Sequence, residues 1–299
     1  MFDHLTARTK GTAFGLAAVV AWAAYNIGVA AGRADGFSVA DLTLLRYLGA
    51  TLALTPWILW KGRSRGSRLG WKRLLVLLAF AGPHFGVLYN IGMPLTRLSH
   101  AVVISPGFSM IVAFVLTALA LRLWPSPRRI LGLAVLIAAL ICVAADRAGT
   151  GPEPVSYLRG DLIFVLTGTL YGTFSFFLGR WKVDAVQITW IISAASLAIV
   201  VPAYLIFATP TDHSALAWAI QFVLQGVLGG GWAIVLYTLS IQYLGSGRAG
   251  IFPALTPIAT VPLSLPITGA QPSTYEVVGV ALAAFGMILS LGGKAKRAD

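Results

Sequence analysis

The chain has 299 residues, 58% of them hydrophobic and only 11% charged, with a mean hydropathy of +0.82. A soluble protein of that length needs far more charge on its surface, so the composition excludes a water-soluble enzyme or binding domain and specifies an integral membrane protein. The net charge of +12 would suggest a nucleic-acid partner in a soluble domain; here the bases sit in short connections between apolar runs, where membrane orientation accounts for them and no nucleic acid is needed.

Runs of about 20 apolar residues, the length that crosses a bilayer as a helix, occur ten times: 11–31, 41–60, 73–93, 100–121, 129–145, 160–180, 186–207, 218–241, 249–267 and 275–292. Continuous runs of this length specify helices rather than barrel strands. The predicted fold is therefore all-α, ten transmembrane helices with no soluble domain left over, and the lipid bilayer is the one certain partner.

Span 1 is expected to be retained rather than cleaved as a signal peptide, because its apolar run exceeds a signal core. It carries Trp22, Tyr25 and Asn26 on one face, three and four residues apart. Span 2 carries Arg46 about a turn and a half inside its outer end, where snorkelling to water is the favoured reading and receipt of a substrate carboxylate the alternative. Span 3 is interrupted near its middle by Pro83 and His84, with Tyr89 and Asn90 beyond. An unsatisfied polar group in hydrocarbon costs several kcal/mol, so these residues predict a polar pathway, and His84 is the single most favoured binding residue. Hydrogen bonding to a neighbouring helix is its bland alternative.

Span 6 repeats the theme with Tyr171, Phe174 and Ser175 on one face, and span 8 with Gln221, Gln225 and Trp232 at spacings of four and seven, followed by Tyr237. Trp22, Trp232 and Tyr171 lie too deep for the interfacial belt that explains the other tryptophans; helix packing is the competing account. Span 9 holds Pro253, Pro257, Pro262 and Pro266 and is expected to be irregular.

If the N-terminus is cytoplasmic, seventeen Lys and Arg fall on that side, among them Lys61, Arg63, Arg65, Arg68, Lys72 and Arg73, against Arg33, Arg97, Arg147 and Arg159 opposite. That asymmetry places both termini in the cytoplasm.

The two halves also repeat. At an offset of 149 Gly11 meets Gly160 and Trp22 meets Tyr171; at 148 Val87-Leu88-Tyr89 meets Val235-Leu236-Tyr237; at 147 Pro125, Ser126 and Gly132 meet Pro272, Ser273 and Gly279. The repeats run 11–145 and 160–292. Five spans is an odd number, so the second copy enters the membrane from the opposite side, an inverted repeat around a central cavity.

Ten spans in two halves, a basic tail before the first, and Ser126-Pro127-x-x-Ile130-Leu131-Gly132 after the fourth together resemble the EamA family of the drug/metabolite transporter superfamily, and within it the bacterial aromatic amino-acid exporters most. The resemblance implies a cavity lined by spans 1, 3, 4, 6, 8 and 9, with 5 and 10 peripheral. One departure is Leu123 and Ala270 where many members carry a glutamate, which puts in doubt any mechanism that relies on that carboxylate.

The acidic residues all fall in tails, loops or outer turns, so no mid-depth carboxylate is expected to relay protons. There is no GxxxxGK[ST] loop for ATP, no metal-ligand spacing among His4, His84, His100 and His213, and Cys142 stands alone. No cofactor is implied and no catalytic constellation is found. The reading is a secondary transporter exporting small amphipathic metabolites, aromatic or other amino acids first, through a site of Trp22, Tyr25, Asn26, His84, Tyr89, Asn90, Tyr171, Ser175, Trp232 and Tyr237. The alternatives are another solute class, such as drugs, sugars or nucleotide sugars, or a membrane scaffold that transports nothing. Nothing in the chain bears on monomer against dimer.

Overall fold

The computed structural model describes residues 6–61, 70–124, 126–145, 154–181, 184–244, 249, 251–268, 272–290 and 296–297. Most of the basic loop that follows residue 61, on which the orientation argument leans, and Ala270 lie outside them.

Helix α1 (Ala7–Ala34) starts at Thr6, whose hydroxyl accepts from the Thr9 amide at 3.2 Å. In α2 (Val39–Lys61) the start is a capping box, Ser38 and Asp41 exchanging amide-to-side-chain bonds of 3.0 Å each. The third apolar run breaks where its sequence says it must: α3 (Trp71–Ala81) stops at Gly82, and α4 (Pro83–Gly92) restarts on Pro83, which has no amide to donate. A short 3-10 turn, Met93–Leu95, leads to α5 (Leu98–Leu121), followed by α6 (Pro127–Ala144) and α7 (Pro154–Trp181). Next come α8 (Ala185–Phe207), then α9 (Ala215–Gln221), a π-helix (Phe222–Trp232) and α10 (Ala233–Leu244) in one continuous rod. The last helices are α11 (Ile251–Thr268) and α12 (Thr274–Ser290). The only sheet among the described residues is a two-residue antiparallel pairing of β1 (Leu123–Trp124) with β2 (Lys296–Arg297).

Eight of these helical stretches are long and apolar enough to cross a membrane, and two shorter apolar helices, Ile251–Ile267 and Thr274–Ser290, follow them. The chain is thus an all-helical multi-pass membrane protein. The expectation that span 9 is irregular is not met. The proline-rich run is a continuous α-helix, with Pro257, Pro262 and Pro266 inside it. Each of these prolines removes one amide from the i→i−4 ladder, and the helix continues past the gaps. Irregularity falls instead on the glycine-rich run, which winds as a π-helix, a form that is rare and concentrated at functional sites.

Glycine explains why that segment sits where it does. A Cβ on Gly226 would lie 2.4 Å from the Gly49 Cα and 2.5 Å from the Leu45 carbonyl, and one on Gly230 would lie 2.7 Å from the Ala50 Cβ. The π-helix and α2 therefore meet backbone to backbone, as small residues allow in membrane bundles.

The two ends of the bundle are held differently. At the end carrying the chain termini, Ser240 donates to the Gly11 carbonyl (2.8 Å) and the Trp190 indole donates to Thr55 (3.0 Å), while Leu77, Phe174, Ile188 and Ile192 form an apolar cluster. At the far end three buried carboxylates are bound. Asp41 accepts from Tyr204 (2.6 Å), Thr211 (2.8 Å) and the Ser38 hydroxyl (2.7 Å). Asp161 accepts from Thr96 (2.7 Å) and pairs with the His100 Nδ1 (3.0 Å). Glu276 pairs with Arg97 (2.8 Å) and accepts from Ser99 and from the Ser273 amide (2.7 Å). These carboxylates occupy the first or second turns of α2, α7 and α12. They do lie in outer turns, as the sequence suggested, but they are buried and matched rather than exposed.

Gly226→Leu should lower the melting temperature of the purified protein, overpacking costing about 1–3 kcal/mol or more. Gly179→Ala, at a helical glycine with open space around it, should leave the melting temperature unchanged or raise it, the stability gain being up to about 1 kcal/mol. Equal effects would contradict the close crossing.

Candidate functional site

The strongest polar feature in the helical core is Arg46. Its guanidinium lies 4.8 Å from the Tyr25 ring centre and 5.8 Å from that of Phe85, and its Nη1 is enclosed without a hydrogen-bond acceptor. It does not snorkel. It is held over two ring faces, and a cation over aromatic rings is stabilised by about 0.5–2 kcal/mol per contact. The hydroxyls of Tyr25, Tyr47, Tyr89 and Tyr171 all lie within its electrostatic reach.

The rings are held in place by their own contacts. Tyr25 lies 5.7 Å from Tyr89, which meets Phe85 at 6.0 Å and Phe164 edge-on at 5.1 Å; Phe85 meets Tyr171 at 5.8 Å. The Tyr89 hydroxyl donates to the Asn26 Oδ1 at 2.7 Å, tying α4 to α1. The Tyr47 hydroxyl donates to the Gly82 carbonyl, also at 2.7 Å. That carbonyl sits at the break before Pro83, so the discontinuity in the third run serves to anchor α2. Asn90, almost wholly buried, donates to the Gly86 carbonyl (2.9 Å) and to Thr43 (3.3 Å) and keeps its Oδ1 without a partner.

Of the residues singled out in the sequence, Tyr25, Asn26, Tyr89 and Tyr171 converge here, and Asn90 stands beside them. Tyr171 is the open side of the set, 39% exposed. Trp22 and Tyr237 form a separate pair, rings 5.4 Å apart, one turn of α1 nearer the termini. The Ser175 hydroxyl is spent on the Tyr171 carbonyl of its own helix at 2.8 Å.

Two expected members stand elsewhere. His84 lies on the face of α4 that also carries Val87 and the exposed Ile91, turned from the face on which Phe85 and Tyr89 are buried. Its Nε2 is enclosed without a hydrogen-bond partner, and no contact brings it to Arg46. Trp232 is 45% exposed while Gln221 and Gln225 are buried, bonded to each other at 3.0 Å. A helix bonded i→i+5 turns less per residue than an α-helix, so the spacing of seven that suggested one face does not hold.

The sequence reading left out Tyr47, Phe85 and Phe164, and favoured snorkelling for Arg46 with receipt of a carboxylate as the alternative. The available signal was Thr43, Arg46 and Tyr47 at helical spacing of three and four on one face of span 2, which makes a strip of polar groups inside an apolar run. No group of three metal-ligating side chains occurs among the described residues. A shallow groove between α2 and α8, lined by Thr51, Ala194, Leu197, Ala198, Val201 and Pro202, offers almost no polar chemistry.

Removing the Tyr89 hydroxyl should be felt at once. Tyr89→Phe keeps the ring contacts but leaves the buried Asn26 Oδ1 unpaired, at a cost of about 1–3 kcal/mol. The check is the melting temperature of the purified variant; no change would mean that water or another group satisfies Asn26.

Residues 9–145 and 158–292 each match the family described as the EamA-like transporter family. A solved structure, titled only as the crystal structure of a protein, aligns with 94% of this chain and 95% of its own at a TM-score of 0.67 and 17% identity, which supports the fold alone. No curated protein gives a significant match.

Proposed function

The chain belongs to the EamA-like transporter family, and on that premise we propose that it is a secondary transporter of the bacterial inner membrane that exports small amphipathic metabolites, aromatic amino acids first among them. The observation that carries this reading is the wall of Tyr25, Phe85, Tyr89 and Tyr171 around an enclosed cation, contributed by α1, α2, α4 and α7 at the middle of the bundle. Rings suit a solute with a ring, and amides and hydroxyls nearby suit its polar head. Trp22 and Tyr237 would receive the solute one turn closer to the termini.

The proposed architecture is ten spans as two inverted repeats, 11–145 and 160–292, with both termini cytoplasmic. Support comes from the pairing of α6 with α12. A Cβ on Gly132 would meet the Ser290 backbone at 2.4 Å, and one on Gly279 would meet the Val143 side chain at 2.4 Å. At the repeat offset of 147, Gly132 corresponds to Gly279 and Val143 to Ser290, so the two contacts are one contact with the partners exchanged. A two-fold axis between the helices produces that relation. Inverted repeats of this kind carry a midplane site that opens alternately to either side. In this proposal the far end, closed by the bound carboxylates, is the outer gate.

Flux into proteoliposomes against a panel of amino acids and sugars tests the substrate class, with and without a pH gradient. Aromatic amino acids are expected to move and sugars not. Tyr171→Ala and Trp22→Ala should each cut aromatic flux about two- to tenfold, the worth of a ring pair at roughly 0.5–1.5 kcal/mol, with melting temperatures near wild type. Flux of sugars alone, or loss of folded protein in place of flux, would overturn the reading. A thiol introduced at residue 64 should resist impermeant reagents applied outside intact cells; labelling there would reverse the topology.

A further inference from the structure

We propose that Arg46 is the counter-ion for a carboxylate on the transported solute, and that the site requires this anion while an ammonium on the same solute is dispensable. The inference rests on the transport reading above and names the part of the solute that is recognised.

The first observation is an unmatched charge. Arg46 is partly buried on α2, with its Nη1 enclosed and lacking an acceptor. A guanidinium does not shed its proton to escape burial, so its charge persists. Every buried carboxylate among the described residues is committed at the far end: Asp41 to Ser38, Tyr204 and Thr211, Asp161 to Thr96 and His100, Glu276 to Arg97, Ser99 and Ser273. Among the described residues Arg97 pairs with Glu276, and the His100 Nδ1 lies 3.0 Å from Asp161. Arg46 has ring faces and hydroxyls but no anion, and an uncompensated buried charge is strongly unfavourable. A ligand anion removes that penalty on arrival.

The second observation is the asymmetry of the surroundings. A guanidinium matches the planar carboxylate with two parallel N–H donors, which a lysine cannot do. For an ammonium the site offers only neutral acceptors. The Asn26 Oδ1 is occupied by Tyr89, and the Asn90 Oδ1 is left without a partner while its Nδ2 donates to Thr43 and the Gly86 carbonyl. One neutral oxygen can accept a hydrogen bond from an ammonium but does not balance its charge, and Arg46 repels it. The rings beside Arg46 then favour an aromatic acid over an aliphatic one.

Three probes separate the groups: 3-phenylpropionate carries ring and carboxylate, 2-phenylethylamine ring and ammonium, and L-phenylalanine all three. The purified protein is tested by ligand-induced thermal stabilisation in detergent and by competition for flux in proteoliposomes. Wild type is expected to be stabilised by 3-phenylpropionate and L-phenylalanine to a similar degree, with 2-phenylethylamine about ten- to a hundredfold weaker, as loss of a charge-assisted bond predicts. Arg46→Gln should lose the preference for the acids. Arg46→Lys, which keeps the charge and guards against a folding defect, should retain it with weaker binding. The inference is overturned if 2-phenylethylamine binds as well as the acid, if Arg46→Gln keeps the wild-type order, or if 3-phenylpropionate gives no stabilisation. The two readouts fail separately. Stabilisation that depends on Arg46 without flux in wild type would sink the transport reading and leave the anion site standing.

Discussion

The close crossing of α2 and the π-helix is the constraint on which the centre of the molecule depends. Gly226 lies against Gly49 and the Leu45 carbonyl, Gly230 against Ala50 and, at 3.2 Å from a built Cβ, the Arg46 carbonyl, and Gly229 against the Tyr25 ring. Three glycines thus press one rod onto the backbone that carries Arg46 and onto the ring that faces it. With side chains at those positions α2 would stand off, and Arg46 would have room to turn toward the bilayer surface. The π-helical winding belongs to the same arrangement, since a wider helix can approach this closely only where it has no side chains to interpose.

Around that crossing, opposite requirements are met by separating them in space. Arg46 needs an environment that tolerates a cation without an acid beside it, and the rings of Tyr25 and Phe85 supply it. The acids need donors, and they find them at the far end, where helix N-termini add exposed amides and a favourable dipole. Asp41 and Glu276 each close a capping box while also bonding to side chains from other segments. Those boxes therefore fasten helix to helix as well as starting the helices. The termini end adds apolar contact to its two hydrogen bonds from Ser240 and Trp190, with Phe14 stacked on Tyr243 at 5.8 Å and Phe177 on Trp181 at 4.7 Å.

Most of the fold was legible because hydrocarbon permits few solutions. A backbone in lipid must bond to itself, so long apolar runs become helices, and Gly82-Pro83 breaks one because proline has no amide to give. Tyr25, Asn26 and Tyr89 were legible as polar or aromatic residues at depth. What failed depended on rotation. His84 and Phe85 are neighbours in sequence, but one residue is about a quarter turn of helix, and the direction in which α4 restarts after the break decides which of them points inward. Trp232 was lost to the π-winding, which shifts every later face of that rod. Arg46 was read as snorkelling because its distance from the helix end is visible in sequence, whereas the rings that hold it come from α1 and α4. Pairing between distant segments is what the local pattern does not encode.

The same separation of charges bears on how such a molecule would work as a transporter. A carrier must avoid binding its solute so well in one state that it cannot leave, and cation–π contacts worth about 0.5–2 kcal/mol offset part of the penalty that Arg46 bears once an anion departs. Had Asp41, Asp161 or Glu276 been placed beside it, the resulting buried pair would cost about 3–5 kcal/mol to break, and any solute anion would have to displace it. Keeping the acids at the far end leaves the centre receptive. It also gives that end bonds that are discrete and directional. On this view the uncompensated arginine and the bound carboxylates are two halves of one design: the charge that would quench the site is used to hold the gate.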